Sequence, residues 1–584
     1  MCGVLFCNVK NHELNLQALK HRGPEEEILI SDGKYQYGFC RLAIREIIDG
    51  KQPYENSNII SVINGELYNL EEIIDLCKQL DNSAKIPKGD MNVLGLYLSL
   101  AGGDGLEKVQ GMFAGYVYFK QKNIVLFFRD RVGEKPLYYL FKNELFMLLS
   151  ENRFSEVNNN IEVKQQINLY DLIQGFVKSK LSSEIFECKP GHYYLITLED
   201  MTVTENQYFE LPIRPRIFSN SNFDVLEKKI IESVLRQTAS DVPLSLMLSS
   251  GIDSSLIAVI MRNHGIDFES FTLGFSDVNW DESTLVSKFT SDLGIVNTKV
   301  IYSNKELAQM VTSVLKAMDT PIFDTATISL YAITKAISDT YKVALTGDGG
   351  DEISMGYELF KWKSFLPIAQ LFPSNAAFQF REKLSTVNME TYNSFNMKFS
   401  RAFSIAESKK IPPFIGALSP FSGTPLLSIL NSKIQKMDRI SLEKYYLNYV
   451  LPNIYLVKSD RMSMMNSVEL RAPFLDSEII NEAFKFSSLS LSLKKRKYLL
   501  NRIASNHLPN YLFDRPKKGF SVPFSRIIEH LDEPDWDSNL IKLFGDELHN
   551  TWSTARTNQN SAIASWALLV TNHFIKERKY EIEI

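Results

Sequence analysis

No cysteine follows Cys188, and the five present (Cys2, Cys7, Cys40, Cys77 and Cys188) include no CxxC pair. An odd count without that spacing excludes a disulfide scaffold and the usual zinc ligand sets, and it fits a reducing cytoplasm. No apolar run reaches transmembrane length, and MCGVLFCNVK lacks the charged leader and long apolar stretch of a signal peptide. The eight histidines form no HExxH pattern, which removes metal hydrolysis of that type. No GxGxxG follows a strand, so a dinucleotide site is not expected. Internal repeats and low-complexity tracts are absent. With 64 Lys+Arg against 69 Asp+Glu the chain also lacks the basic surplus of a dedicated nucleic-acid binder.

What is present is globular: 584 residues, 45% hydrophobic, a length that suits about two to four domains. Residues 1–211 read as strand-rich, with apolar or alternating runs at Tyr35–Ile44, Ile59–Ile63, Met112–Phe119, Ile124–Phe128 and Tyr193–Leu198. Helical patterns interrupt them at Leu70–Leu80 and Val93–Leu100, which predicts an α+β unit of antiparallel sheets. Residues 212–222, rich in proline and small polar side chains, read as a linker. From 223 to 584 the rhythm becomes strand–helix–strand. Val242–Leu248, Ser270–Phe275, Lys299–Tyr302 and Lys342–Leu345 alternate with helices, predicting a doubly wound parallel sheet with ligands at the strand carboxyl ends. Beyond about 355 the pattern is mostly helical.

Four stretches carry chemistry. Removal of Met1 would leave Cys2 at the N-terminus, where its own α-amine serves as the base for its thiol. Downstream, an apolar strand ends in Asn64-Gly65; alone this is a turn, but an Asn amide beside a Gly N–H also makes an oxyanion hole. Leu248-Ser249-Ser250-Gly251-Ile252-Asp253-Ser254-Ser255 leads from a strand into a helix, where small residues admit phosphate oxygens to backbone N–H groups. It is not a Walker A loop, since the GK[ST] spacing is missing. Lys342-Val343-Ala344-Leu345-Thr346-Gly347-Asp348-Gly349-Gly350-Asp351-Glu352 brings three carboxylates to one Gly-rich turn, a chemistry suited to Mg²⁺ bridging. In Leu493–Leu500, four consecutive cations read either as a solvated helix face or as phosphate neutralisers.

Taken together, Cys2-Gly3, His21-Arg22-Gly23-Pro24, Asn64-Gly65-Glu66-Leu67-Tyr68-Asn69, Gly111-Met112-Phe113-Ala114 and Arg129-Asp130-Arg131 with Lys135-Pro136-Leu137-Tyr138-Tyr139 resemble the class II glutamine amidotransferase domain of glutamine-hydrolysing asparagine synthetases. The Ser249–Ser254 loop resembles the SGGxDS pyrophosphate-releasing loop, and Thr346–Glu352 resembles the family's SGEGSDE segment. Lys458-Ser459-Asp460-Arg461, Glu469-Leu470-Arg471-Ala472-Pro473-Phe474-Leu475-Asp476 and Arg515-Pro516-Lys517-Lys518-Gly519-Phe520 match further blocks, so the resemblance spans nearly the whole chain.

The resemblance implies a fold: an N-terminal-nucleophile (Ntn) sandwich of antiparallel sheets between helices, then an α/β ATP-pyrophosphatase domain. It also implies roles. Cys2 attacks the glutamine amide, Asn64 and Gly65 form the oxyanion hole, and Arg41, Ile44, Asn64, Gly65, Glu66 and Asp90 hold glutamine. Leu248, Ser249, Ser250, Gly251, Asp253, Ser254, Leu273, Thr346 and Gly347 contact ATP, Asp253 and Asp351 hold Mg²⁺, Asp348 serves the acyl-adenylate step, and Lys497 neutralises the phosphates. Gly89-Asp90-Met91-Asn92 departs from the family's Ser-Asp-Thr-Glu but keeps the aspartate. Ile353-Ser354-Met355-Gly356-Tyr357 departs from Leu-Phe-Gly-Gly-Tyr, and Phe323–Ile328 departs from the usual Asp-Pro-Ser-Ala, both where the acceptor binds. Aspartate is the default acceptor, with sugar uronates and natural-product carboxylates as alternatives. A tRNA-modifying enzyme with the same phosphate loop and a silent regulatory homologue are the competing classes. The expected partners are small molecules: glutamine, ATP and a carboxylate. A homodimer is left open, and neither nucleic acid nor membrane is expected.

Overall fold

The computed structural model describes residues 2–8, 13–168, 182–215, 221–275, 283–356, 443–487, 491, 497–513, 522 and 524–583. The first half opens with β1 (Gly3–Cys7), β2 (Glu26–Ser31), β3 (Gln36–Arg41), β4 (Tyr54–Glu55) and β5 (Ile59–Leu67). Helices α1 (Leu70–Leu80) and α2 (Asp90–Ala101) follow, then β6 (Gly111–Phe119), β7 (Ile124–Arg129), β8 (Tyr138–Lys142) and β9 (Leu145–Leu149). The short strands β10 (Gln166–Asn168), β11 (Ile185–Glu187), β12 (His192–Thr197) and β13 (Thr202–Gln207) complete it. Two six-stranded antiparallel sheets result, ordered β11-β8-β9-β1-β3-β2 and β13-β12-β7-β6-β5-β4.

Strand alternation explains how they stack. Val4 and Phe6 of β1 point between the sheets, with Phe39, Val62, Tyr116 and Phe127, while Leu5 and Cys7 face the opposite side with Leu16 and Leu19. On the outer face of the second sheet α2 covers β5 and β6, and α1, packed against α2, adds Ile73 and Cys77, four residues apart, to the same core. The product is the expected Ntn-type sandwich.

The second half contains α3 (Phe223–Gln237), β14 (Leu244–Met247), α4 (Ile252–Asn263), β15 (Phe268–Phe275), α5 (Ser283–Leu293) and β16 (Asn297–Tyr302). It continues through α6 (Asn304–Ala317), α7 (Ala326–Ser338), β17 (Val343–Leu345), α8 (Leu456–Met464), β18 (Glu469–Arg471), α9 (Gln559–Arg578) and β19 (Glu581–Glu583). Its five-stranded sheet runs β16-β15-β14-β17-β18, all parallel. One face carries α3 and α4, through Leu226, Ile230, Leu256 and Ile257, and the other carries α6 and α7, through Val311 and Ile333, with Trp566 of α9 adding to the same core further out. The chain leaves β14 towards β16 and returns to its other side at β17. The carboxyl ends of β14 and β17 therefore flank the topological switch point, where such sheets bind ligands.

Several expectations need correction. Asn64-Gly65 does not end its strand: β5 pairs with β6 through Leu67, with Asn64 opposite Ala114 and Gly65 opposite Phe113. The strand expected over Tyr35–Ile44 stops at Arg41, and Leu42–Ile44 leave the sheet towards a cleft. In the mostly helical C-terminal region β18 and β19 are strands, the latter pairing in parallel with β10. Within the supposed linker, Arg214 is buried and bound to Glu443 Oε1 at 2.8 Å and to the Ile353 carbonyl at 3.1 Å. Residues 515–520 and Lys494–Arg496 lie outside the described residues.

Candidate active sites

Cys2 stands one residue before β1, so sheet pairing fixes its backbone against β3 and sets it close to β5. Its backbone nitrogen donates to Asn64 Oδ1 at 2.7 Å. Asn64 is fully buried, and its Nδ2 has no hydrogen-bond partner, an expensive arrangement unless a ligand oxygen accepts from it. Gly65 has φ 150°, and a Cβ there would sit 2.0 Å from the Met112 carbonyl oxygen, so only glycine lets β5 continue beside Cys2. Burial pushes the Cys2 thiol up, opposed by the positive chain terminus and the Leu42 backbone. A cleft of about 430 Å³ opens here, and Cys2, Arg41, Ile44, Gly65, Glu66 and Asp90 all line it.

Its charges are paired in a way the sequence did not reveal. Arg41 is anchored by the Ile47 and Glu46 carbonyls at 2.8 and 3.1 Å. Arg45 lies 3.3 Å from Glu66 Oε2 and 3.6 Å from Asp90 Oδ2. Asp90 opens α2 and accepts from the Leu67 and Met91 amides. Glu66 meets Arg471 of β18 at 3.3 Å, so a residue of the parallel sheet stands behind one of the side chains that line this cleft. Burial raises the Glu66 carboxyl to about 8, with Asp90 and Glu469 adding to the rise and Arg471 and Arg45 opposing it. Glu469 is held down to about 2 by the positive chain terminus, Arg471 and Lys135, against its own burial.

The second site lies at the switch point. After β14, the Ser249 amide and hydroxyl both meet Ser254 Oγ at 3.2 Å, and the Gly251 amide donates to Ser249 Oγ at 3.2 Å, shaping a loop that runs into the N-terminus of α4. After β17, the Thr346 amide donates to the Arg471 carbonyl at 2.8 Å, and Ser459 Oγ donates to Asp348 Oδ2 at 3.2 Å. Lys497 Nζ joins the two turns, 2.5 Å from Asp253 Oδ2 and 2.9 Å from Asp351 Oδ1. A Cβ on Gly350 would lie 2.7 Å from Asp253 Cγ, so the approach of the loops depends on that glycine.

A cleft of about 980 Å³ is lined by Ser249, Asp253, Ser254, Thr346, Gly347, Asp348 and Asp351. Leu248 is buried behind it, Leu273 is half-buried on β15, and Ser250 and Gly251 form the turn; these four do not line the cleft. Among the described residues no group of three or more His, Cys, Asp or Glu gathers for a metal. Two hard-oxygen carboxylates facing a phosphate-sized turn nevertheless suit Mg²⁺ that takes its other ligands from phosphate and water. Lys458, paired with Asp324 at 2.6 Å, and Ser459 also line this cleft. Both were legible only as part of a matching block, and Arg45 carried no signal.

Comparison with known proteins identifies the family. The glutamine amidotransferase domain model matches residues 1–209, and the asparagine synthase model matches residues 225–543. The chain belongs to the asparagine synthase family, carbon–nitrogen ligases that consume ATP and draw nitrogen from glutamine. Asparagine synthetase [glutamine-hydrolyzing] 1 of Bacillus subtilis is 28% identical, over 90% of this chain and 86% of its own. Asparagine synthetase [glutamine-hydrolyzing] 2 of the same organism is also 28% identical, over 87% and 68%. A putative asparagine synthetase of Mycobacterium tuberculosis is 23% identical, over 89% and 85%. Among the described residues no helix is long and apolar enough to cross a membrane.

Proposed function

We propose that this chain makes an amide from a carboxylate, glutamine and ATP, with residues 1–211 and 223–584 as its two catalytic units and aspartate as the default acceptor. The observation that carries this reading is Asn64, with Oδ1 on the Cys2 nitrogen and Nδ2 unpartnered. Once Met1 is removed, the freed Cys2 amine takes the thiol proton. The sulfur attacks the glutamine side-chain carbon, and Asn64 Nδ2 with the Gly65 N–H stabilises the oxyanion. The carbon–nitrogen bond breaks, ammonia leaves, and water hydrolyses the thioester to glutamate. Arg41 receives the glutamine α-carboxylate, Ile44 lines the same wall, and Glu66 and Asp90 receive the α-ammonium.

In the second cleft the Ser249–Ser254 loop, Thr346 and Gly347 hold ATP, consumed as a substrate. Leu248 and Leu273 form the walls behind it. Asp253 and Asp351 would hold Mg²⁺, which supplies charge neutralisation to the phosphates. The acceptor carboxylate attacks the α-phosphorus and pyrophosphate leaves, its charge met by Lys497. Asp348 orients the acyl-adenylate step, and ammonia displaces AMP. The free thiols fit a reducing cytoplasm. A different acceptor is the second reading, favoured by Ser354 and Met355, both buried where relatives carry Phe-Gly.

The test is pyrophosphate release with glutamine, ATP and a panel of carboxylates, alongside intact mass. Glutamine-dependent release with aspartate and loss of Met1 are expected. If no carboxylate, aspartate included, gives glutamine-dependent pyrophosphate, the synthetase assignment fails, and a retained Met1 would sink the Cys2 mechanism. Lys497→Met is expected to lower release about 100- to 1,000-fold and to leave glutamate formation intact.

A further inference from the structure

The cleft around Cys2 is lined by the first half of the chain, but one of its lining carboxylates, Glu66, is held from behind by the second half. Strand β18 lies at the edge of the parallel sheet, and its alternate residues Glu469 and Arg471 point the same way, towards Cys2 and Glu66. Both are almost fully buried. Arg471 Nε binds Glu469 Oε1 at 2.7 Å, Nη1 binds the Gln237 and Ala239 carbonyls at 2.8 and 2.7 Å, and Nη2 reaches Glu66 Oε1 at 3.3 Å. The guanidinium is therefore locked by the second half of the chain while reaching Glu66 of the first. Its backbone carbonyl at the same time receives the Thr346 amide, at the head of the Asp348 turn.

We infer that Arg471 is a positioning residue of the glutaminase reaction, supplied by the synthetase sheet, which fixes the Glu66 carboxylate that receives the glutamine α-ammonium. This rests on the amidotransferase reading above. The physical case is a balance of charges. Glu66 is buried and also faces Asp90 and Glu469, all of which favour its neutral form, while Arg45 and Arg471 oppose them. Arg45 is partly exposed and shared between Glu66 and Asp90, whereas Arg471 is dry and held by three other groups. Without its guanidinium, Glu66 loses its driest cationic partner, and the balance moves further towards the neutral acid, which cannot pair with an ammonium.

The experiment is steady-state kinetics of Arg471→Gln and Arg471→Lys with two nitrogen donors, glutamine and ammonium chloride. For Arg471→Gln the glutamine KM is expected to rise about tenfold or more with a much smaller change in kcat, equivalent to one lost charge contact. Arg471→Lys recovers part of that rise, and pyrophosphate release with ammonium chloride stays within about threefold of the parent. If Arg471→Gln fails to fold, Arg471→Lys alone still reads the effect, as a glutamine KM raised about threefold. An unchanged glutamine KM, or a parallel loss with both donors, overturns the inference. Failure of the parent chain to release pyrophosphate with either donor strikes the proposed function instead.

Discussion

Glu66 stands among two arginines and two carboxylates, Arg45 and Arg471 against Asp90 and Glu469, with burial tipping it towards the neutral form. A group raised to about 8 ionises across the range in which the enzyme is assayed. Glutamine KM is therefore expected to fall as pH rises through about 8, while its α-ammonium keeps its charge. Glu66→Gln should raise KM and flatten that dependence, as read from initial glutaminase rates between pH 6.5 and about 8.5. A pH-independent KM in the parent chain would place the ammonium elsewhere. Cys2 poses the opposite problem, since burial holds its thiol protonated and makes a local base necessary. Residue identity was legible in sequence for Cys2, Asn64, Gly65 and Asp90, because each sits in a compact motif. Arg45 was not, and Arg471 showed only as part of a matching block, since their pairing depends on partners 21 or more positions away.

Among the elements, β5 best separates what local reading can and cannot reach. Asn-Gly is the commonest short-range turn signal, so an end at Ile63 followed from it. The tertiary ladder overrides that signal, because Gly65 admits the Met112 carbonyl to a distance no side chain allows. Gly65→Ala should then cost about 2–4 kcal/mol through clash and left-handed strain, and should abolish glutamate formation. Thermal unfolding and glutaminase rates check this, and a stable, active alanine variant would contradict the close approach. Helix α1 was read to its final boundaries because its buried residues recur at helical spacing. The three-residue β18 escaped notice, since so short a run carries no periodicity and exists only by pairing with β17.

Across the whole molecule, the two halves meet through buried ion pairs. Arg22, fully buried, binds Glu151 at 2.7 Å and grips both Asp460 oxygens at 2.7 and 2.9 Å, while Arg461 binds Asp319 and the Tyr138 hydroxyl. Asp460→Asn leaves Arg22 with less compensation and should cost about 3–5 kcal/mol, lowering the thermal midpoint and loosening both halves together. An unchanged midpoint would mean that the contact contributes nothing. Asp460, Glu151 and Glu469 are all held below their ordinary values, so their stabilisation is present above the unfolded carboxylate range near 4 and is lost as pH falls through the folded values. The sequence alone determined the two kinds of sheet and the family, and it singled out the proposed nucleophile and phosphate loop, because short-range periodicity and compact motifs encode them. Only the tertiary structure decided that an arginine from the parallel sheet backs the glutamine cleft. That contact joins side chains 405 positions apart, and its strength comes from a dry environment that no local pattern announces.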